Sequence, residues 1–341
     1  MSRKVTIKEG WHWPRFDDVL CTTLTDQERL GLPDGYRRDR FSDSYPLVFE
    51  QMRHLTRDNL LALCQNANLP LIERLVAGNL LGVLGDPRLN TYDPPMIAIE
   101  GGKVWIGLPP EEIEDVMACY HGLGLDRSWI AKESPRHSVA LAKFAIGRYP
   151  ITNQEYRDFL SDSGFAEIPD SWTFRRYPLE RANHPVYTVS PRGADTYCQW
   201  LANKTGRAFR LPSESEWEYA ASGPEGNEFP WGDRFDADLA NTCETGLFTT
   251  TPVGIFTGGA SPFGAFDMAG NVEEYVADPY SAYPGGDFVA DHLVQIHGTY
   301  RVARGGTFAR FRDLARTRRR HGHNPRSSAY AMGFRLAETL G

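Results

Sequence analysis

What this 341-residue sequence lacks narrows its function first. No apolar run approaches the ~20 residues that a membrane helix needs. MSRKVTIKEGWHWPRF carries no apolar core of a secretory leader, so a cytoplasmic chain without membrane contact is expected. Cysteine is scarce and scattered (Cys21, Cys64, Cys119, Cys198, Cys243), odd in number and never in a C-x-x-C pair. That pattern argues against a disulfide framework or a cysteine-built zinc site, and for reduced, buried thiols. Beyond Cys243 there is no cysteine at all. Excess positive charge is missing too: a net charge of −7 speaks against a broad nucleic-acid face, though not against a local basic site.

What the chain does have is turn chemistry, with 32 glycines and 23 prolines pointing to many short elements rather than a helical bundle. The pattern divides near TYDPPM, giving an N-terminal extension over 1–93 and a larger domain over 94–341. In the extension, WHWPRFDDVL suggests a short amphipathic piece. Leucines recur at helical spacing between Tyr45 and Leu84, predicting two helices joined by NANLP that must lean on the larger domain. In the domain, MIAIEGGKVWIGL predicts two strands about a Gly-Gly turn, and SVALAKFAIGRYPIT a strand pair. TNQEYRDFLSDSG, 190–206 and PSESEWEYAASG predict helices. Thr152 or Asn153 caps the first; Ser213 with Glu216 forms a capping box on the third. From 223 to 300 periodicity is sparse, as in loops that carry function or hold ions.

The stretch 301–336, RVARGGTFARFRDLARTRRRHGHNPRSSAYAMGFRL, has strand-like ends and nine arginines between Arg301 and Arg326, with Asp313 the one acid. Buried guanidinium groups need partners, so a recognition surface is expected. The run Arg318-Arg319-Arg320 suits either bidentate phosphate contact or pairing with the chain's own acids. His321 and His323 form an H-x-H pair; two exposed polar loop residues are the plainer expectation than a transition-metal site.

Taken in order, IGRYPITNQEYRDFL, HPVYTVSPRGADTYCQWLANKTGRAFRLPSESEWEYAASG, FPWGD, TPVGIF, FGAFDMAGNVEEY and RVARGGTF…MGFRL resemble the formylglycine-generating-enzyme (sulfatase-modifying factor) family over about 95–338. The resemblance implies an α+β, C-type-lectin-like fold with much irregular structure held by calcium. One expected ion site is Asp267 and Glu274 with the backbone of Gly270 and Val272; a second uses Asn241 and Thr242 with the backbone near Leu247, where Thr245 replaces an acid, so that the site is either empty or served by Glu244. The family's copper-binding cysteine pair corresponds to Arg310 and Ala315, and arginine is neither a soft metal ligand nor a thiol nucleophile. No histidine fits the His-x3-His-x-Glu iron motif of ergothioneine-type relatives. Calcium is therefore the expected cofactor, and iron or copper is not. Glu273 replaces a tryptophan that the family sets beside its active groove.

The sequence leads to a recognition module rather than a working formylglycine-generating enzyme. Its expected ligand surface is Thr307, Phe308, Arg310, Phe311, Asp313, Arg318, Arg320, His321, His323, Asn324, Ser327 and Tyr330, with Glu273 beside it, facing a protein or small-molecule ligand. That layout also resembles the variable proteins of diversity-generating retroelements, which end in a Gly-Phe-Arg strand. One alternative is a metal-dependent oxidoreductase of the same superfamily with a relocated site, in which His321, His323 and Glu273 or Asp313 converge. Another is a regulatory subunit docking through residues 1–90.

Overall fold

The structure, a computed structural model, describes residues 40–323 and 330–341 together with Thr25, Glu28 and Leu30. WHWPRFDDVL, Asn324 and Ser327 lie outside them. The lead-in holds three helices: α1 (Ser44–Met52), α2 (Arg57–Gln65) and α3 (Leu71–Leu84). As their one-sided leucine pattern requires, they bury that face partly on the domain. Leu60, Leu75, Val76 and Leu81 share a cluster with Ile255 and Phe256. Gly78 permits the approach, since a Cβ there would stand 2.9 Å from the Pro252 side chain. Arg74 fastens it by donating to the Ile255 carbonyl at 2.7 Å and Thr257 Oγ1 at 2.6 Å.

The domain mixes helices with three small sheets. Strands β1 (Met96–Ile99) and β2 (Gly102–Ile106) flank the Gly-Gly pair but are not partners. The next two strands, β3 (His137–Leu141) and β4 (Phe144–Gly147), do not pair with each other either. Instead β1 pairs with β4 and β2 with β3, all antiparallel. The backbone at Gly101 sits so close to the 141–142 segment that a Cβ would lie 2.1 Å from the Leu141 carbonyl oxygen. The chain there crosses between sheets rather than closing a hairpin.

Helices α4 (Ile113–Cys119) and α5 (Arg127–Ala131) are short; α6 (Asn153–Ser163), α7 (Pro191–Thr205) and α8 (Glu214–Ser222) are the three that the sequence predicts, with the two-residue strand β5 (Phe209–Arg210) between the last two. Thr152 and Ser213 make the full capping boxes with Glu155 and Glu216. The sparse 223–300 region still yields β6 (Glu273–Pro279) and α9 (His292–His297). The last strands are β7 (Arg301–Arg304), β8 (Met332–Phe334) and β9 (Ala337–Thr339). The sheet that matters for function runs β7-β6-β8, antiparallel on one side of β6 and parallel on the other.

Candidate functional site

The first residue of β6, Glu273, is fully buried. Its N–H donates to the Ala331 carbonyl at 2.9 Å, which brings the β8 side alongside. On the β7 side, Ala303 and His321 exchange backbone hydrogen bonds at 2.8 and 3.1 Å. The three-stranded sheet thus gathers side chains from distant segments. His321 Nδ1 donates to Glu273 Oε1 at 2.6 Å, and its ring stacks on Tyr330 with centroids 5.3 Å apart. The Arg310 guanidinium lies 4.2 Å from the centroid of the Tyr330 ring, and His323 meets the ring edge-on at 5.8 Å.

Burial, with the nearby Arg319 and Arg310 charges, lowers the His321 pKa although Glu273 pulls it upward. The ring is neutral at neutral pH, with Nδ1–H committed to the carboxylate. Nε2 is 3.5 Å from the Tyr330 hydroxyl. Glu273 Oε2 is buried with no hydrogen-bond partner among the described residues, an uncompensated acceptor in the interior. The arrangement can hold or move a proton. Those contacts include no soft metal ligand, and the Cys243 thiol is inert: the Cys243 N–H donates to the Arg310 carbonyl at 2.9 Å, but burial raises that thiol's pKa well above normal.

The expected ligand surface proves to be largely interior. Thr307, Arg310, Phe311, Asp313, Arg320, His321 and Tyr330 are all buried, while Phe308, Arg318 and His323 are half-buried. His321 is therefore not an exposed loop residue. Arg320 is not a phosphate binder either: both arms of its guanidinium grip Glu214 at 2.8 Å. Arg318 donates to the Gly226 carbonyl at 2.6 Å and pairs with Glu228 at 3.3 Å. Asp313 faces Arg319 at 3.9 Å, and burial pushes its pKa up to about 6. Of the two uses open to the 318–320 run, pairing with the chain's own acids is the one realised.

The expected calcium oxygens are engaged as well. Glu274 accepts from Arg335 on both oxygens, at 2.6 and 2.7 Å, and from the Trp217 indole at 2.6 Å. Asp267 accepts from the Gly254 N–H at 2.7 Å and the Asn271 amide at 3.3 Å. Asn241 Oδ1 accepts from Thr245 at 3.2 Å, and Thr242 donates to Glu244 at 2.6 Å. Arg335 already supplies positive charge at Glu274, and calcium takes six to eight oxygens, so this side-chain arrangement does not fit the ion. Gly270 permits a close backbone approach: a Cβ would stand 2.3 Å from the Asn241 carbonyl oxygen. Among the described residues, no group of three or more His, Cys, Asp or Glu is placed to hold a metal.

Residues 85–340 match the sulfatase-modifying factor enzyme 1-like domain. The chain belongs to that family. Among its relatives, a protein of Chlamydia trachomatis named serine/threonine-protein kinase Pkn1 is 35% identical over 342 residues, covering 95% of this chain but only 47% of its own length. The chain thus spans about half of that relative. Mouse inactive C-alpha-formylglycine-generating enzyme 2 is 27% identical, covering 77% of this chain and 92% of its own. The solved structure of PvdO from Pseudomonas aeruginosa aligns at TM-score 0.56 and 27% identity, over 73% of this chain and 95% of that one. Treponema denticola variable protein 1 aligns at TM-score 0.53 and 21% identity over 72% and 95%, a likeness of fold alone. The family, and a mixed helix-and-sheet fold, are as the motifs implied.

Two features stand out beyond the family motifs. The first is the Glu273–His321 contact, which joins residues 48 apart and realises part of the convergence that the oxidoreductase alternative requires. The second is the loop through Trp172–Tyr177. There Phe174 and Arg175 both take left-handed backbone angles (φ 57° and 59°), and Phe174 is 90% exposed. A bulky residue in that region carries strain, which concentrates at functional positions. WTFRRY offered a signal, an aromatic-arginine run between two prolines.

No helix among the described residues is long and apolar enough to cross a membrane.

Proposed function

We propose that this chain is a recognition domain on the family scaffold, which binds its ligand and does not generate formylglycine. The observation that carries this reading is Arg310: where the family resemblance places a thiol, a buried guanidinium covers Tyr330. The ligand face is narrower than the 307–331 segment. Phe308 meets the Tyr187 ring at 5.8 Å, and Tyr187 edges a cavity of about 430 Å³ shared with Trp172, Phe174, Arg176 and Tyr177. Phe174 also borders a neighbouring cavity of about 540 Å³. Aromatics and arginine at a concave, partly apolar surface are the usual ingredients of a binding hot spot.

Selection of a displayed peptide library on the intact protein tests this, with counter-selection on Tyr187→Ala and Phe308→Ala. The expected result is a family of binders that both variants lose. Binders indifferent to both changes would place recognition elsewhere.

The Glu273–His321 contact favours a second reading, an oxidoreductase with a relocated metal. Analysis of purified protein for iron and copper separates the two. Stoichiometric metal that His321→Ala removes would overturn the recognition reading.

A further inference from the structure

The lead-in and the domain leave between them a cavity of about 810 Å³, within the size range of small-molecule sites. Its apolar wall comes mainly from α1 and α3, through Tyr45, Phe49, Leu75 and Leu80, with Leu247 among its other apolar residues. Its other lining is polar and belongs largely to the domain: Glu180, Arg181, His184 and the Thr249–Thr251 run. The cavity is distinct from the Phe308–Tyr187 groove, although Glu180 and Arg181 border both.

Three observations restrict what fits. The polar floor is fixed and uncharged: His184 contacts Asn79 Oδ1 at 2.9 Å and Thr250 Oγ1 at 3.1 Å. Burial, helped by the Arg181 charge, pushes the His184 pKa down to about 3, so the ring contributes no cation near neutral pH. Next, Thr251 is among the lining residues, and its hydroxyl is fully buried with no hydrogen-bond partner among the described residues, an unmet requirement that a polar group pressed into this wall would satisfy. Finally, the two arginines of the lining differ. Arg40 donates to the Thr245 carbonyl at 2.8 Å and faces Asp238 at 3.8 Å. Arg181 makes no side-chain ion pair among the described residues, while Glu180 beside it is exposed to screening solvent.

We infer that this cavity binds an amphipathic carboxylate: an apolar chain lies against the α1–α3 wall, and the anionic head meets Arg181, with the Thr251 hydroxyl supplying a further hydrogen bond. Because both the lead-in and the domain contribute walls, an occupant would clamp one to the other. This assignment does not depend on the recognition reading.

Isothermal titration of the full chain with decanoate, 1-decanol and decyltrimethylammonium tests it, since the three share a tail and differ in head. The expected result is one decanoate per chain, bound at least about tenfold more tightly than either other probe. Arg181→Gln should bring decanoate down to the level of decanol. Thr251→Val, which keeps the side chain's shape and removes only the hydroxyl, should weaken decanoate and leave decanol unchanged. Leu80→Trp, which fills the apolar wall, should weaken all three. Equal binding of the three probes, no binding of decanoate, or decanoate binding untouched by both Arg181→Gln and Thr251→Val would overturn the assignment.

Discussion

Two arginine-rich segments of this chain meet opposite fates. In the C-terminal segment, Arg304, Arg316, Arg319 and Arg320 are buried, at 3% exposure or less. In the loop at 172–181, Arg175 and Arg176 stand exposed beside the exposed Phe174. Residue type does not decide between these outcomes; the supply of acids on facing elements does. Glu214 and Glu218, one turn apart on α8, hold Arg304, and Glu214 also holds Arg320. Glu133 and Glu228 hold Arg316. Burial alone would raise the Glu214 pKa, but Arg320 and Arg304 outweigh it and keep the carboxylate below its usual range. Among the described residues, no such acids hold Arg175 or Arg176. The fixed points of their loop are Trp172, which donates to Asn153 Oδ1 at 2.7 Å, and Tyr177, with Arg157 4.8 Å from its ring centroid.

The sharpest way to break this contrast is to remove one member from each side. Arg320→Ala takes both 2.8 Å bonds from Glu214 and leaves it the 3.3 Å contact to Arg304 in the interior; loss of one partner from a buried pair costs up to about 3–5 kcal/mol. Arg176→Ala removes an exposed charge and should stay within about 0.5 kcal/mol. Urea unfolding of both variants checks the pair. Equal midpoints would mean that the buried ion pairs contribute no more than the surface ones.

The contrast also marks how far the sequence is informative. Local rules hold where the cause is local: Thr152-x-x-Glu155 and Ser213-x-x-Glu216 are capping boxes because the two residues lie one turn apart. The ordered motifs reach the family for the same reason, each being a short constrained run. The arginine segment reads as a surface because the acids that hold Arg304, Arg316 and Arg320 lie 86 to 183 residues away. One local clue exists, since Glu214 and Glu218 share the face of α8 that also presents Trp217 to the core. The Gly-Gly hairpin fails because what fixes Gly101 is a strand about forty residues on. Glu273 and His321 meet through β7, whose Ala303 pairs with His321 while the strand pairs with β6, and such long-range pairing leaves no mark on spacing.

A third setting sharpens the rule that a buried charge needs a counter-charge. Glu155 is buried, caps α6 by accepting from Thr152, and has no cation beside it among the described residues; burial pushes its pKa up to about 7. Its folded pKa is raised, so its stabilising contribution is complete below the ordinary value near 4.5 and is lost as pH rises through about 7. Glu155→Gln keeps the capping acceptor. It should gain on the order of 2 kcal/mol over the parent at pH 8 and converge with it near pH 4.5. Thermal unfolding across that range reads the difference. A parent that gains stability relative to the variant as pH rises would reverse the sign and refute the assignment.

On the exposed side the expected effects are smaller. Phe174 holds left-handed angles that cost an ordinary residue about 1–2 kcal/mol, and glycine would relieve them at the expense of a more flexible unfolded chain. Phe174→Gly should therefore stabilise by about 0.5–1 kcal/mol while removing the aromatic edge of the proposed groove. A variant that is both more stable and unable to bind selected peptides would show the strain to serve recognition. A destabilised variant would mean that this side chain packs against the loop as a structural element.

The smallest expected effect concerns calcium, and it comes from the buried side of the comparison. At Glu274 the positive charge comes from Arg335, through two hydrogen bonds, and the Asp267 oxygens accept from Gly254 and Asn271. Burial pushes the Asp267 pKa up to about 6, with the nearby Arg335 charge opposing that rise. A ligand that binds only the folded state stabilises it in proportion to the logarithm of its saturation. A set whose side-chain oxygens are engaged by protein donors offers calcium little such leverage. Excess chelator should leave the melting temperature within about 1 °C, and millimolar calcium should not raise it further. A drop of several degrees, restored by calcium but not by magnesium, would show that the ion displaces Arg335 from Glu274. The Gly270 and Val272 carbonyls would then complete its shell, and the family's ion would prevail over the chain's own guanidinium.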